Sequence, residues 1–226
     1  MKRPAHWLIL AALAAALPIG GCHIASVLMD AFRPPQKVHA IFEPPEDKVF
    51  CVLVDDVQKP LADQAIKRYL TGKINKKLVA RDVAADAVPY DDLLGYATAH
   101  PNYNRMSLLE IGRAMDADIV MQVVVKEFTL RDTDTEMLWR GHLVTQVRLF
   151  DVHEMRRIFP TETELYDVAA VTLPTVAEDS PSYGTTVAEK LAETMSERIV
   201  DLFDDHYVDP AEAEKREQPT IEGWES

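Results

Sequence analysis

The chain has 226 residues, 37 acidic and 24 basic, for a formal charge of −13 at pH 7. A surface this acidic repels phosphate backbones, which excludes nucleic-acid binding, and it also excludes a broad electrostatic dock on anionic lipid headgroups. Two cysteines provide no disulfide framework, so stability must come from a hydrophobic core.

The first element is a leader. Lys2 and Arg3 form a positive start, and Trp7 to Leu17 is an apolar run without charge. The run is too short to span a bilayer core, which takes about 20 residues, and reads as a secretory signal. Ile19-Gly20-Gly21-Cys22 follows and resembles the lipobox of bacterial lipoproteins. That resemblance implies that Cys22 is thioether-linked to a diacylglycerol, becomes the new N-terminus and is itself acylated; the alternative is a plain secretory signal with an incidental cysteine. Removing residues 1–21 leaves 205 residues with 22 basic and 37 acidic side chains, enough for one domain with a core. His23 in place of an aspartate resembles lipoproteins sorted to the outer membrane. The expected location is therefore the cell envelope, periplasm-facing, on the outer rather than the inner membrane.

Residues 22–47 carry two Pro-Pro pairs, 34–35 and 44–45, and read as a semi-rigid tether; VHAIF (38–42) is a candidate edge strand along the domain. Residues 48–207 read as the domain itself. Lys48–Asp56 is a near-continuous apolar, β-branched run, as expected of a strand covered on both faces. Its Cys51 is expected to be a buried, inert thiol. Leu61–Leu78 has helical spacing, with Lys67, Arg68, Lys73, Lys76 and Lys77 on what reads as a solvated face. Leu78–Val83 suggests a short strand, and 86–104 a long irregular segment. Ser107 and Glu110 form a capping-box pattern that opens a helix through Met115. Asp116-Ala117-Asp118 turns it into a long buried strand, 119–130. Leu138–Asp151 is the return strand with period-two alternation, Arg156–Phe159 begins the next, and Leu165–Leu173 resumes it. Pro174–Thr186 reads as a loop, Val187–Tyr207 as the strongest helix, and 208–226 as an acidic, disordered tail. The fold class is α+β: a mixed, largely antiparallel sheet in the order β-α-(β)-α-β-β-β-α, with helices packed on one side of it.

SLLEIGRAMDADIVMQVVVKEF and the closing Leu149-Phe150-Asp151 resemble the domain group of the CsgG, LpoB and TolB N-terminal-domain families of bacterial envelope proteins. Those families usually read Gly-Ala-Asp at the helix-to-strand join; here Asp116 stands in the glycine's place, and Gln122 where a later glycine is usual. The resemblance implies a lipid-anchored, non-enzymatic domain used for protein binding or assembly, and it carries over no catalytic residue.

Candidate sites are few. Asp132, Asp134 and Glu136 begin like a calcium loop, but Met137 and Leu143 stand where glycine and glutamate are required. Asp151, His153 and Glu154 are too sparse for a zinc set. Neither a metal nor a cofactor is expected, and no nucleophile–base pair is readable. Tyr90, Tyr96, Tyr103 and Tyr183 are candidate partner-contact anchors on the 86–104 and 174–186 loops, since tyrosine is enriched at interfaces; the same rings could instead pin their own loops. The expected partners are the membrane, through the lipid on Cys22, and another envelope protein, with a homo-oligomer left open. The alternatives are an envelope hydrolase whose site the sequence does not display, and a subunit of an oligomeric export or pore complex.

Overall fold

The computed structural model describes residues 34–57, 61, 63–131, 138–161, 167–171, 175–176 and 183–209. In chain order the first elements are β1 (Gln36–Val38), β2 (Val49–Asp55), α1 (Gln64–Ala80), β3 (Asp86–Ala87), α2 (Tyr90–Ala99) and α3 (Leu108–Ala114). Then come β4 (Ile119–Arg131), β5 (Leu138–Asp151), β6 (Arg156–Phe159), β7 (Asp167–Val171), β8 (Thr175–Val176), α4 (Tyr183–Val200) and β9 (His206–Val208). The chain divides into two units, one from His39 to Asp205 and one made of the segments outside it. In the outer unit the described residues form a two-stranded antiparallel ladder, with Gln36 opposite Val208 and Val38 opposite His206.

The central unit is α+β. Its sheet runs β3-β2-β4-β5-β6, with β7 and β8 pairing β5 beyond β6. β2 is parallel to both β3 and β4, and every other pairing is antiparallel. The meander β4-β5-β6 pairs strands that are consecutive in the chain. β2 is buried on both faces, as its unbroken apolar run requires. Phe50, Val52 and Val54 pack with Ile66, Leu70 and Ile74 of α1 and Leu191 and Met195 of α4. Cys51 and Leu53 pack with Leu93 of α2 and Ile111 of α3. Because strand side chains alternate, the two sets lie on opposite faces. The helices therefore cover both sides of β2 and β4, which corrects the one-sided arrangement expected from their order. The larger cluster carries the stability: each fully buried Leu, Ile or Phe contributes roughly 1.5–3 kcal/mol on transfer from water.

Other expectations change. Residues 78–80 are the last turn of α1, not strand; the short strand sits at Asp86–Ala87. Residues 90–99 are helix rather than irregular chain. Only Tyr90 and Leu93 of α2 are buried, too few to make a period visible, and the apparent breakers are harmless: Pro89 is the N-cap and Gly95 has open space around it. The last helix stops at Val200, after which the Leu202 carbonyl accepts from the Ile41 and Phe42 amides. This anchors 41–42 on the domain, where Phe42, Phe159 and Phe203 form a chain of ring contacts at 5.5 and 5.2 Å.

The capping box of α3 is present as read: Ser107 Oγ accepts from Glu110 N, and Glu110 accepts from Ser107 N at 2.7 Å. Both α1 and α3 then end in one motif. Asp82 and Asp116 have φ of 57° and 54°. Val83 N donates to Leu78 O and Asp82 N to Val79 O, while Ala117 N donates to Gly112 O and Asp116 N to Arg113 O. Each is a Schellman cap with aspartate in the left-handed position that glycine usually holds. α3 sits close on the sheet: a Cβ on Gly112 would come within 2.5 Å of Val120 Cγ2 and 2.8 Å of Val152 Cγ2.

Candidate functional site

The topology marks one place for a site. From β2 the chain crosses through α1 on one face to reach β3, then returns through α2 and α3 on the other face to reach β4, which flanks β2 on its opposite edge. Where successive connections leave a parallel strand in opposite directions, a crevice opens at its carboxyl end. One is present: a cavity of about 360 Å³ whose lining runs from the end of β2 (Val52–Val57) to α2, the turn at 103–106 and the start of α3. Its walls are Leu53, Leu93, Leu94, Met106, Leu108 and Ile111, with the Tyr90 and Tyr103 rings between them. No serine, cysteine or histidine is among the described lining residues.

The polar groups at the mouth are of two kinds. Most are tied to one another. Lys67 Nζ holds Asp56 Oδ1 at 2.8 Å, and Gln64 Nε2 donates to the Tyr90 hydroxyl. Asp63, just outside, caps α1 by accepting from Ile66 N. Burial pushes the Tyr90 and Tyr103 phenols above the ordinary tyrosine value, away from any proton-transfer role near neutral pH. Asp55 differs. On the cavity side of β2, its carboxylate accepts only from neutral donors, Gln122 Nε2 at 3.3 Å across the β2–β4 pair and Val57 N at 3.4 Å. No cation among the described residues pairs with it.

The predicted contact tyrosines separate. Tyr90 is 9% exposed and lines the cavity from the start of α2. Tyr103, half-buried, lines it from the neighbouring turn, and Tyr96 stacks on His100 at 3.8 Å while meeting Tyr103 edge-on. Tyr183 is elsewhere, at the start of α4, edge-on to Trp139 at 5.9 Å. The cavity thus gathers two of the four with Asp55, Gln64 and Asn104, which sequence reasoning did not single out, and with Lys67, which it placed on a solvated face. The one available signal for Asp55 was its position, the first charge after the apolar run of β2. Cys22 and the 132–137 turn lie outside the described residues.

The other titratable residues singled out from sequence have structural work. Asp151 Oδ1 accepts from His153 N and Glu154 N, closing the β5–β6 turn. His153 Nε2 lies 2.9 Å from Asp118 Oδ1, and Asp118 Oδ2 accepts from Val49 N. The Asp118 carboxyl is held below its ordinary value, chiefly by that backbone donor, with further help from His153 and Lys48. Cys51 is fully buried, and burial raises its thiol pKa to about 12, so it is an inert core residue. The apolar side of β5 (Leu143, Val147, Leu149) lies under α4 in the core, which leaves it unavailable as a lipid-facing surface.

No family model and no curated protein matches the chain. Among solved structures it is similar to the PelC dodecamer from Paraburkholderia phytofirmans, at 17% identity over 76% of this chain and 98% of that one, with a TM-score of 0.37. It is also similar to the lipoprotein GNA1162 from Neisseria meningitidis, at 11% identity over 70% and 99% of the two chains, TM-score 0.40. A third similarity is to TolB from Acinetobacter baumannii, at 12% identity over 71% of this chain and 31% of that one, TM-score 0.26. No role is transferred from them.

Proposed function

We propose that this is a lipid-anchored cell-envelope protein whose α+β domain is a non-enzymatic docking module for another envelope protein. The anchor is the lipid on Cys22, with the domain facing the periplasm from the outer membrane. The observation that carries the reading is the character of the crevice at the end of β2. Its walls are aliphatic and tyrosine side chains; its lysine, glutamine and one aspartate are engaged with neighbours. Such a lining favours holding a partner group over activating one, since catalysis calls for a nucleophile or a proton donor within reach of a substrate atom. Among the described residues no helix is long and apolar enough to cross a membrane, which is compatible with attachment by lipid.

Photo-crosslinking in intact cells tests the reading. A crosslinking side chain at Leu94, which is exposed and lines the crevice, should yield a discrete membrane-associated adduct that the same group at exposed Lys76 does not. Identical adducts from the two positions, or none from Leu94, would overturn it.

A further inference from the structure

Four observations at the crevice point to the chemistry of its occupant. The cavity, about 360 Å³, is at the low end of the roughly 300–1,000 Å³ of ligand pockets, a size suited to one side chain rather than a folded surface. Its depth is apolar, with Leu93 and Ile111 nearly buried behind Leu108 and Met106. Its mouth is acidic: among the described lining residues Asp55 and Asp56 stand against one ammonium, that of Lys67, which is spent on Asp56. Arg68 adds no net charge, because its guanidinium holds Asp91 at 2.7 Å. Among the described residues Asp55 is left half-buried with two neutral donors and no cation, an arrangement that a positive group entering from outside would complete.

We infer that the crevice takes a lysine or arginine side chain of the partner protein, its aliphatic stem against Leu93, Leu108 and Met106 and its charge on Asp55. A long amphipathic cation fits both halves of the site: the methylenes match the apolar wall, and the head stays at the mouth where the carboxylate is. A carboxylate ligand would meet the like charge of Asp55, and a purely aliphatic one would desolvate Asp55 without supplying a counter-charge, which costs free energy. The assignment rests on the docking role proposed above and specifies what that docking recognises.

The test uses the full chain and four short probes, acetyl-Gly-X-Gly-amide with X as lysine, arginine, norleucine or glutamate. Norleucine keeps the lysine stem and removes the charge. Methyl NMR shifts of Leu93, Leu108 and Ile111 report occupancy. The lysine and arginine probes should saturate these shifts at concentrations at least tenfold below norleucine, with no response to glutamate. Asp55→Asn should erase the preference while leaving the remaining methyl spectrum unchanged, and Ala97→Trp, which fills the crevice mouth, should abolish the response to every probe. Equal response to norleucine and lysine, a preference that survives Asp55→Asn, or no saturable shift with any probe would overturn the assignment. If the preference is lost while Leu94 still crosslinks a partner, the crevice chemistry alone falls. If the preference holds and no partner is captured in cells, the crevice chemistry stands and the docking role falls.

Discussion

At the scale of single residues, the Asp116-Ala117-Asp118 join concentrates the most information. Asp116 occupies a left-handed backbone position that glycine fills without steric cost and aspartate fills with some. The position therefore asks for a residue tolerant of positive φ. Asp116→Gly should raise stability by about 0.5 kcal/mol in urea unfolding, and a loss would show that the aspartate side chain has an unseen role. Asp118 is a clasp. Its carboxylate takes the Val49 amide and the His153 ring, and its carbonyl takes the Val152 amide, so one residue ties the starts of β2 and β4 to the β5–β6 turn. Asp118→Ala should cost about 2 kcal/mol, because it leaves an amide that had a charged acceptor. The acid behaviour follows with a definite sign. The folded carboxyl of Asp118 is lowered, chiefly by the Val49 amide. Its contribution is complete above the unfolded value of about 4 and is lost as pH falls through the lower folded one. Urea midpoints should thus decline below about pH 4.5, and the decline should be shallower in Asp118→Asn.

At the scale of elements, the basic face of α1 is the instructive case. Its lysines and arginines read as a solvated stripe, yet Lys73 and Lys77, with Arg81 at the C-cap, form a seam with α4 and the residue that follows it. α1 and α4 run parallel, and the pairs climb together: Lys73 with Glu193 at 2.5 Å, Lys77 with Glu193 and Glu197, Arg81 with Glu197 and with Asp201 at 2.8 Å. The ends of this ladder differ in burial. The Asp201 side chain is 8% exposed whereas Lys73 and Glu193 are 34% and 39% exposed, and solvent screens exposed pairs to little net effect. Arg81→Met, which keeps the stem and removes the charge, should cost about 2 kcal/mol by stranding buried carboxylate. Lys73→Met should leave the unfolding midpoint within error. Equal losses at both positions would mean that helix packing rather than charge is being measured. Charge spacing along α1 gave no sign of this seam because its partner lies more than a hundred residues away.

At the scale of the whole molecule, the proposed function assigns anchoring and recognition to different parts of the chain. With a formal charge of −13, the protein repels acidic headgroups, so membrane association should depend on the acyl chains of Cys22. A Cys22→Ser protein should appear in the soluble fraction after a high-salt wash, and retention on membranes would show a second attachment. The sequence by itself determined the α+β class, the doubly covered β2, the capping box at Ser107 and the alternation of β5. Each of these is written in local spacing: an unbroken apolar run closed by a charge, a period of two, a serine three residues before a glutamate. What only the tertiary structure decided is long-range: which helices cover each face of β2 and β4, the ion-pair seam between α1 and α4, and helix α2 where too few buried residues left a visible period. The crevice belongs to that second group. Asp55 in the sequence is merely the charge that ends an apolar run. It becomes a candidate ligand-binding carboxylate only because the chain crosses β2 in opposite directions, bringing α2 and α3 over its end, with no cation paired to it among the described residues.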